Sequence, residues 1–253
     1  MAGSFSFKAW FADPWATRLV LASAFVLHYV LGAAVGLSVD EAHYALYALH
    51  PDWSYFDHPP LVGWVQWPLV ALQAPDAVLR LVPGALWLGT VVLAQRAAMA
   101  LVPSALVPQS DAIKSTDPSA AAQRGNWTVL VLLLAPLLHV LGIGLLPDTL
   151  LMFFSAALLL LTLKLIDTAK GIAMPPEGSA VVPGIAGMVL LGVLLGLAGL
   201  SKYTAIFSAL AVALCLLPAF GLKIFRAPGL WLAFAIALVL VAPVPLWNAQ
   251  NQW

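Results

Sequence analysis

The chain has 253 residues, of which 62% are hydrophobic and only 9% charged, with a mean hydropathy of +0.98. A soluble domain carries about 25% charged residues, so this composition excludes an ordinary water-soluble globule and predicts a polytopic α-helical membrane protein. Eleven basic residues balance eleven acidic ones, which leaves no electrostatic footprint for nucleic acid.

Seven apolar segments approach the roughly 17–25 residues needed to cross a bilayer: 17–37, 78–101, 126–146, 147–166, 181–200, 203–220 and 228–246. The first lacks a small-residue cleavage site and is expected to remain as a permanent span. Residues 38–77 form a loop whose stretch 60–72 is apolar but too short to cross, and Trp64 and Trp67 suit a helix lying at the interface. Arg80 and Arg96 sit near the two ends of the second span, where long cationic side chains snorkel to water. Residues 102–125 contain "PSALVPQSDAIKSTDPSAAAQRG", a small, polar, Pro/Ser-rich linker, and 169–184 have a similar character. Asn126-Trp127-Thr128 matches a glycosylation sequon but abuts a span, so a chance match is the better reading. His28 and His139 fall inside spans and are expected as polar contacts between helices. Cys215, the one cysteine, excludes an intrachain disulfide and is expected to be a small core hydrophobe.

Orientation follows from the basic residues. With the N-terminus cytoplasmic, Lys8, Arg18, Arg96, Lys114, Arg124, Lys164, Lys170, Lys223 and Arg226 lie inside, and only Arg80 and Lys202 lie outside. This is the positive-inside pattern, and it places the loop 38–77 and the C-terminal "WNAQNQW" on the outer face.

That loop opens with "SVDEAHYALYALHPDWSYFDHPPLVGW", an unusual concentration of carboxylates and histidines for so apolar a chain. "SVDE" fits a capping box in which Ser38 caps a helix and Glu41 reaches back. The helix would carry Ala42, Ala45, Leu46 and Leu49 on one face and end before Pro51. Glu41 thus has a structural duty available, whereas Asp40 has none beyond exposure to water. The same outer plane receives Asp57, Arg80, Asp148 at the turn between the third and fourth spans, and Lys202 at the turn between the fifth and sixth. Asp148 has helix capping as its simpler role and Lys202 has snorkelling. Together the set holds carboxylates able to take a hydroxyl proton and cations able to hold a phosphate, the inventory of a transferase. His43, His50 and His58, with Asp57, are ordinary metal-ligand types, but their spacing matches no compact motif; no metal or other cofactor is expected to be required, and a divalent ion is not favoured. Tyr44, Tyr47, Trp53, Tyr55, Trp64 and Trp67 would stack on a sugar or line a lipid groove, with an interfacial aromatic belt as the simpler role.

The acidic pair after the first span, then "YFDHPPLVGW", "PDTLLMFF", "GLAGLSKYTAIF" and "PVPLWNAQNQW" in that order, resembles the PMT-like GT-C glycosyltransferases of families 39 and 83. These include protein O-mannosyltransferases and lipid A aminoarabinose transferases. The resemblance runs from about Asp40 to Trp253, and because such enzymes are usually longer it implies the N-terminal membrane half of one. It implies a GT-C-like bundle of about seven transmembrane helices with an interfacial-helix loop on its outer face. It further implies an enzyme that moves sugar from a polyprenyl-phosphate donor to a glycan, lipid or protein acceptor outside the cytoplasm, in a bacterial inner membrane. Asp40 would be the catalytic acidic residue and Asp148 the second, while Asp57 and His58 would stand near the donor phosphate. On this reading Asp40, Asp148 and Glu41 are the catalytic candidates. Arg80, Lys202, His58 and Asp57 are the candidates for the donor phosphate, and Tyr44, Tyr55 and Trp64 for the groove. A membrane transporter or flippase is the alternative class, disfavoured because the charges gather at one face rather than at mid-bilayer and no inverted repeat is visible.

Overall fold

A computed structural model describes residues 14–101, 118–171 and 183–251. Among them the regular structure is entirely helical: α1 Pro14–Ala33, α2 Val39–Leu49, α3 Leu61–Ala71, α4 Asp76–Leu79, α5 Leu81–Ala100, α6 Pro118–Leu133, α7 Pro136–Ile143, α8 Pro147–Gly171, α9 Ile185–Ser201, α10 Ala205–Phe220, a 3₁₀ turn Gly221–Arg226, α11 Pro228–Val241 and α12 Pro243–Gln250. Helices α6, α7, α8, α11 and α12 each open on a proline, where the missing N–H falls among donors that have no intrahelical partner anyway. Five stretches are long and apolar enough to cross a membrane: Trp15–Ala33, Asp76–Ala100, Pro147–Thr168, Ala205–Arg226 and Pro228–Gln250. The fold is thus all-α, with the helices of an integral membrane protein.

Two of the seven expected spans differ from their sequence outline. The segment 126–146 is broken into α6 and α7, which meet at 75°. Pro136 causes the break, since it donates no hydrogen bond and pushes Ala135 into extended backbone, φ −90° and ψ 103°. The carbonyl of Leu133 freed by the break accepts a hydrogen bond from His139 Nε2 at 2.7 Å, and His139 Nδ1 meets His28 Nε2 at 2.7 Å. The His28 ring stands edge-on to Trp87, with centroids 4.4 Å apart. Gly142 lets α7 approach this group, because a Cβ there would lie 2.6 Å from His28 Nδ1. The other difference is the segment 181–200, whose helix α9 has 17 residues, about 25 Å at 1.5 Å per residue, short of the roughly 30 Å hydrocarbon core.

Helix α9 is the centre of the larger core. Met188, Leu191, Ala198 and Leu200 are buried along it. Glycines bring it close to α11: a Cβ on Gly192 would sit 2.5 Å from the Ala233 carbonyl oxygen, and one on Gly196 would sit 2.5 Å from Leu240 Cδ1. Small residues at a helix seam are the means of close packing where hydrophobicity does not drive association. One continuous cluster runs from Tyr44, Tyr47 and Val62 through Leu150 and Leu191 to Phe220. A second joins Leu21, Trp87, Val91 and Val129.

Several sequence expectations are corrected here. Cys215 is exposed on α10 rather than in the core, one of a row with Ile206, Phe207, Leu210 and Leu214 that faces away from the bundle, where lipid would lie. Residues 118–125, placed by sequence in a linker, form the first turns of α6, and 102–117 lie outside the described residues, as do 172–182 of the second polar loop. Asn126 is buried, and its side-chain oxygen accepts from Thr17 at 3.3 Å and Gln95 at 3.1 Å, which explains the sequon as a packing residue.

The orientation read from the basic residues is open to a direct labelling test. Ser54 is fully buried, so Phe56, which is 86% exposed in the same loop, is the position for a probe. In a Cys215→Ser background, Phe56→Cys is expected to react with an impermeant thiol reagent on intact cells, and Ser115→Cys only after permeabilisation. The opposite pattern would invert the bundle.

Candidate functional site

The site begins where α1 hands over to α2. Ser38 caps α2 in extended conformation, its Oγ accepting from Glu41 N–H at 3.3 Å while Glu41 Oε2 accepts from Ser38 N–H at 2.9 Å. The capping box is therefore complete, satisfying donors that a helix N-terminus leaves open. Glu41 Oε2 also receives Arg80 Nη2 at 2.9 Å. Arg80 in turn donates to the carbonyls of Gly36, at 2.8 Å, and Gly32. Both residues are buried, Glu41 at 8% exposure and Arg80 at 4%. Two expectations are thereby corrected: Arg80 does not snorkel toward a phosphate, because its charge is neutralised inside the fold, and Glu41 is held in that pair rather than presented for catalysis.

The amphipathicity of α2 is also the reverse of a core helix. Leu46 and Leu49 are exposed, whereas Glu41, Tyr44, Tyr47 and Ala48 form the buried face. A helix lying at a lipid boundary turns its aliphatic side outward in this way and packs its polar aromatic side on the protein. Helix α3 comes against this face through Gly63, where a Cβ would sit 2.7 Å from Tyr47 Cβ and 3.0 Å from its carbonyl carbon.

Tyr47 organises the next layer. Its hydroxyl donates a short hydrogen bond to Asp57 Oδ1, and its ring stacks on Tyr55 with centroids 3.6 Å apart. Because that proton goes to Asp57, the Tyr47 oxygen accepts from His43 Nε2 at 3.1 Å. His58 Nδ1 donates to Asp57 Oδ2 at 3.0 Å, and His43 Nε2 lies 3.4 Å from the same oxygen. Partial burial alone would raise the Asp57 carboxyl, but the bonds from Tyr47 and His58 outweigh it and hold the group below the ordinary carboxylate value. Burial, then the bond to Asp57, pushes the Tyr47 hydroxyl well above the usual phenol range. Tyr44 is pushed up to about 12 by burial and then by the charges of Asp57, Asp40 and Asp148. Both phenols are therefore neutral donors. Asp40, Asp57 and Asp148 thus all lie within electrostatic reach of Tyr44.

Asp148 completes the cluster. Both its oxygens accept from Lys202 Nζ, at 2.7 and 2.8 Å, so the two turns expected to share a plane are joined by an ion pair. The turn before α8 is tied instead by the neighbouring Thr149, which is fully buried; its Oγ1 donates to the carbonyls of Leu141, at 3.1 Å, and Gly144, at 3.3 Å, and accepts from Leu146 N–H. Thr149 relieves Asp148 of that duty, and sequence reasoning missed it. Asp40 is exposed in the first turn of α2 and makes no hydrogen bond or ion pair among the described residues.

The aromatic candidates separate into two kinds. Tyr44 is buried between the rings of His43 and His58. The Tyr55 hydroxyl donates to the carbonyls of Tyr47 and His50 and accepts from Asp52 N–H, so it closes the loop rather than lining a groove. Trp64 borders a cavity of about 490 Å³ beside Pro51, Asp52 and Trp53.

The buried pair gives a stability prediction. Arg80→Met strands the Glu41 carboxylate and is expected to cost about 3–5 kcal/mol, the usual loss when one partner of a buried ion pair is removed. Adding Glu41→Gln should recover most of that loss. Thermal unfolding of the detergent-solubilised protein measures both, and equal loss in the single and double variants would deny the pairing its role. No family model, curated protein or solved structure matches this chain, so the chemistry of the cluster rests on its own geometry.

Proposed function

We propose that the protein is a membrane glycosyltransferase that moves a sugar from a polyprenyl-phosphate donor to an acceptor hydroxyl, at the membrane face bearing α2. The observation that carries this reading is the partly exposed ion pair of Asp148 and Lys202, within electrostatic reach of the same tyrosine as Asp40 and Asp57. It supports the reading because carboxylates able to take a proton and a cation able to hold a phosphate then share one end of an apolar bundle, where a lipid-borne phosphate would arrive.

The roles follow from what each group is free to do. Asp40 stands exposed in the first turn of α2, and no partner occupies it among the described residues. It takes the proton of the acceptor hydroxyl as the oxygen attacks the anomeric carbon, and the bond to the departing phosphate breaks on the opposite side, inverting the centre. Lys202 stabilises the phosphate that leaves, sharing its charge with Asp148, which holds the ammonium in place. Asp57, bonded by Tyr47 and His58, fixes the loop beside the reaction and presents its histidines toward it. Arg80 takes no part in phosphate binding. No metal or cofactor enters these steps.

A second reading, transport across the membrane, draws on one feature: a helix pair broken at 75° carries two hydrogen-bonded histidines within the bundle. Radiolabelled sugar transfer from a polyprenyl-phosphate sugar, set against uptake into sealed vesicles, separates the two.

Asp40→Asn is expected to lower transfer by about 10²–10⁴-fold, the contribution of a general base, with insertion and abundance unchanged. Residual activity above about a tenth of the parent would remove Asp40 from that role.

Lys202→Gln is expected to weaken the donor interaction about 10–150-fold, because a charge-assisted hydrogen bond is worth about 1.5–3 kcal/mol. The double variant Lys202→Gln, Asp148→Asn removes the orphaned carboxylate and should regain stability without regaining donor affinity. Donor kinetics in Lys202→Gln within about twofold of the parent would leave Lys202 a purely structural partner of Asp148.

A further inference from the structure

The loop after α2 builds a second feature, beside the carboxylate–lysine cluster and made of different chemistry. Trp53 is 62% exposed, yet it is not a loose side chain. Its ring meets Trp64 edge to face, with centroids 6.0 Å apart at 85°. Trp64 is itself fixed, its Nε1–H donating to the Asp52 carbonyl at 2.9 Å. Asp52 N–H donates to the Tyr55 hydroxyl at 3.0 Å, and Asp52 Oδ1 accepts from Trp53 N–H at 2.7 Å. The indole of Trp53 is therefore held upright by a rigid loop while most of its surface remains open.

That indole lines two cavities. Both are open to the surface: one, of about 490 Å³, is bordered by Pro51, Asp52 and Trp64, and the other, of about 350 Å³, by Pro243, Leu246, Trp247 and Gln250 of α12. Both are in the size range of small-molecule sites. Trp53 is the wall they share, and each side pairs an indole with a side chain that forms hydrogen bonds. The second oxygen of Asp52 has no hydrogen-bond partner among the described residues.

We propose that this pair of cavities is a saccharide-binding subsite, with Trp53 as its stacking platform, and that the acceptor of the transfer is itself a glycan. The proposal rests on the glycosyl-transfer reading for its second half. A pyranose ring has a face of C–H bonds with partial positive charge, which lies well on the negative face of an indole. Its rim of hydroxyls matches the Asp52 carboxylate and the Gln250 amide. The Asp52 carboxylate disfavours a polyisoprenyl tail in the first cavity, and a phosphate finds no cation among the lining residues of either. A methylated ammonium suits Asp52, but it calls for several indole faces turned inward, and the edge-to-face contact of Trp53 with Trp64 uses one of them.

The test uses the full chain in detergent micelles with no sugar donor present. Glucose-, mannose- and N-acetylglucosamine-based trisaccharides are the probes, read by saturation-transfer NMR from protein aromatic protons to sugar ring protons. At least one is expected to bind, with an affinity about 2–13-fold weaker in Trp53→Ala, the scale of losing one aromatic stacking surface. Trp53→Phe should retain most of the binding. Trp231→Ala, which removes an exposed indole of α11 bordering neither cavity, should leave it unchanged. Trp53 is exposed, so its loss does not threaten the fold. Farnesyl phosphate and choline serve as competing probes: Trp53-dependent binding of either, in place of a saccharide, would make the site a lipid or cation subsite and overturn the proposal. Absence of binding by all three trisaccharides, or binding indifferent to Trp53→Ala, would overturn it equally. Because no transfer is measured, an active enzyme whose saccharide binding ignores Trp53 sinks this inference alone, and saccharide binding by a chain that cannot transfer sugar sinks the reading of the reaction and the acceptor role with it, leaving the saccharide subsite standing.

Discussion

The buried contact between Arg80 and Glu41 is the constraint from which the arrangement at this end of the bundle follows. One guanidinium reaches the last turn of α1 through the carbonyl of Gly32, the connection through Gly36, and the first turn of α2 through Glu41, while its own backbone starts α5. Gly32 is required for this, since a Cβ there would lie 2.8 Å from Arg80 Cδ. Taking two charges out of water is costly, and the cost is offset only where the remaining donors and acceptors are also met. The two carbonyls and Glu41 take three of the five guanidinium N–H groups and Ser38 N–H also serves Glu41, while the Arg80 Nε has no partner among the described residues. Once Glu41 is fixed, Asp40 is fixed as well, turned about 100° away around the helix axis and therefore outward. A buried carboxylate thus aims an exposed one.

The same division of labour recurs along the cluster. Thr149 ties a turn so that Asp148 is free to meet Lys202, and Tyr47 spends its proton on Asp57 so that the histidines orient toward one carboxylate. In each case a neighbour does the structural work and leaves an ionisable group at the surface. The cluster then holds three carboxylates against one lysine with the phenols neutral. Lys202 is the one ammonium in this cluster, and Asp148 already shares its charge, so the balance at this end of the bundle is negative.

Much of this was legible in the sequence because its signals are local. Apolar run length located the spans, "SVDE" located the capping box, and the order of the charged turns located Asp148 and Lys202 at one end. What was not legible depends on pairing across the fold. Nothing near Arg80 in sequence indicates that Glu41, 39 residues earlier, would take its charge. The aliphatic face of α2 reads as a core face until the neighbouring helix turns out to pack on its tyrosines. The break at Pro136 was not anticipated, because the apolar run 126–146 is long enough to cross as one span. The glycosyl-transfer chemistry came from an ordered set of short motifs, and the geometry supports it through proximity alone.

The break at Pro136 has a consequence for where protons reside inside the bundle. A backbone carbonyl can only accept, so the Nε2 of His139 that meets Leu133 must carry hydrogen. In the neutral ring Nδ1 is then bare, and the hydrogen shared with His28 must belong to His28 Nε2. That leaves His28 Nδ1 as a lone pair facing Gly142, with no donor to meet it. Both tautomers are dictated by a single proline two turns of logic away, and the chain of donors runs in one direction only, from the first helix toward the bend. With each hydrogen committed in this way, the pair ties α1 to the bend and fixes the angle between α6 and α7 by the identity of its atoms.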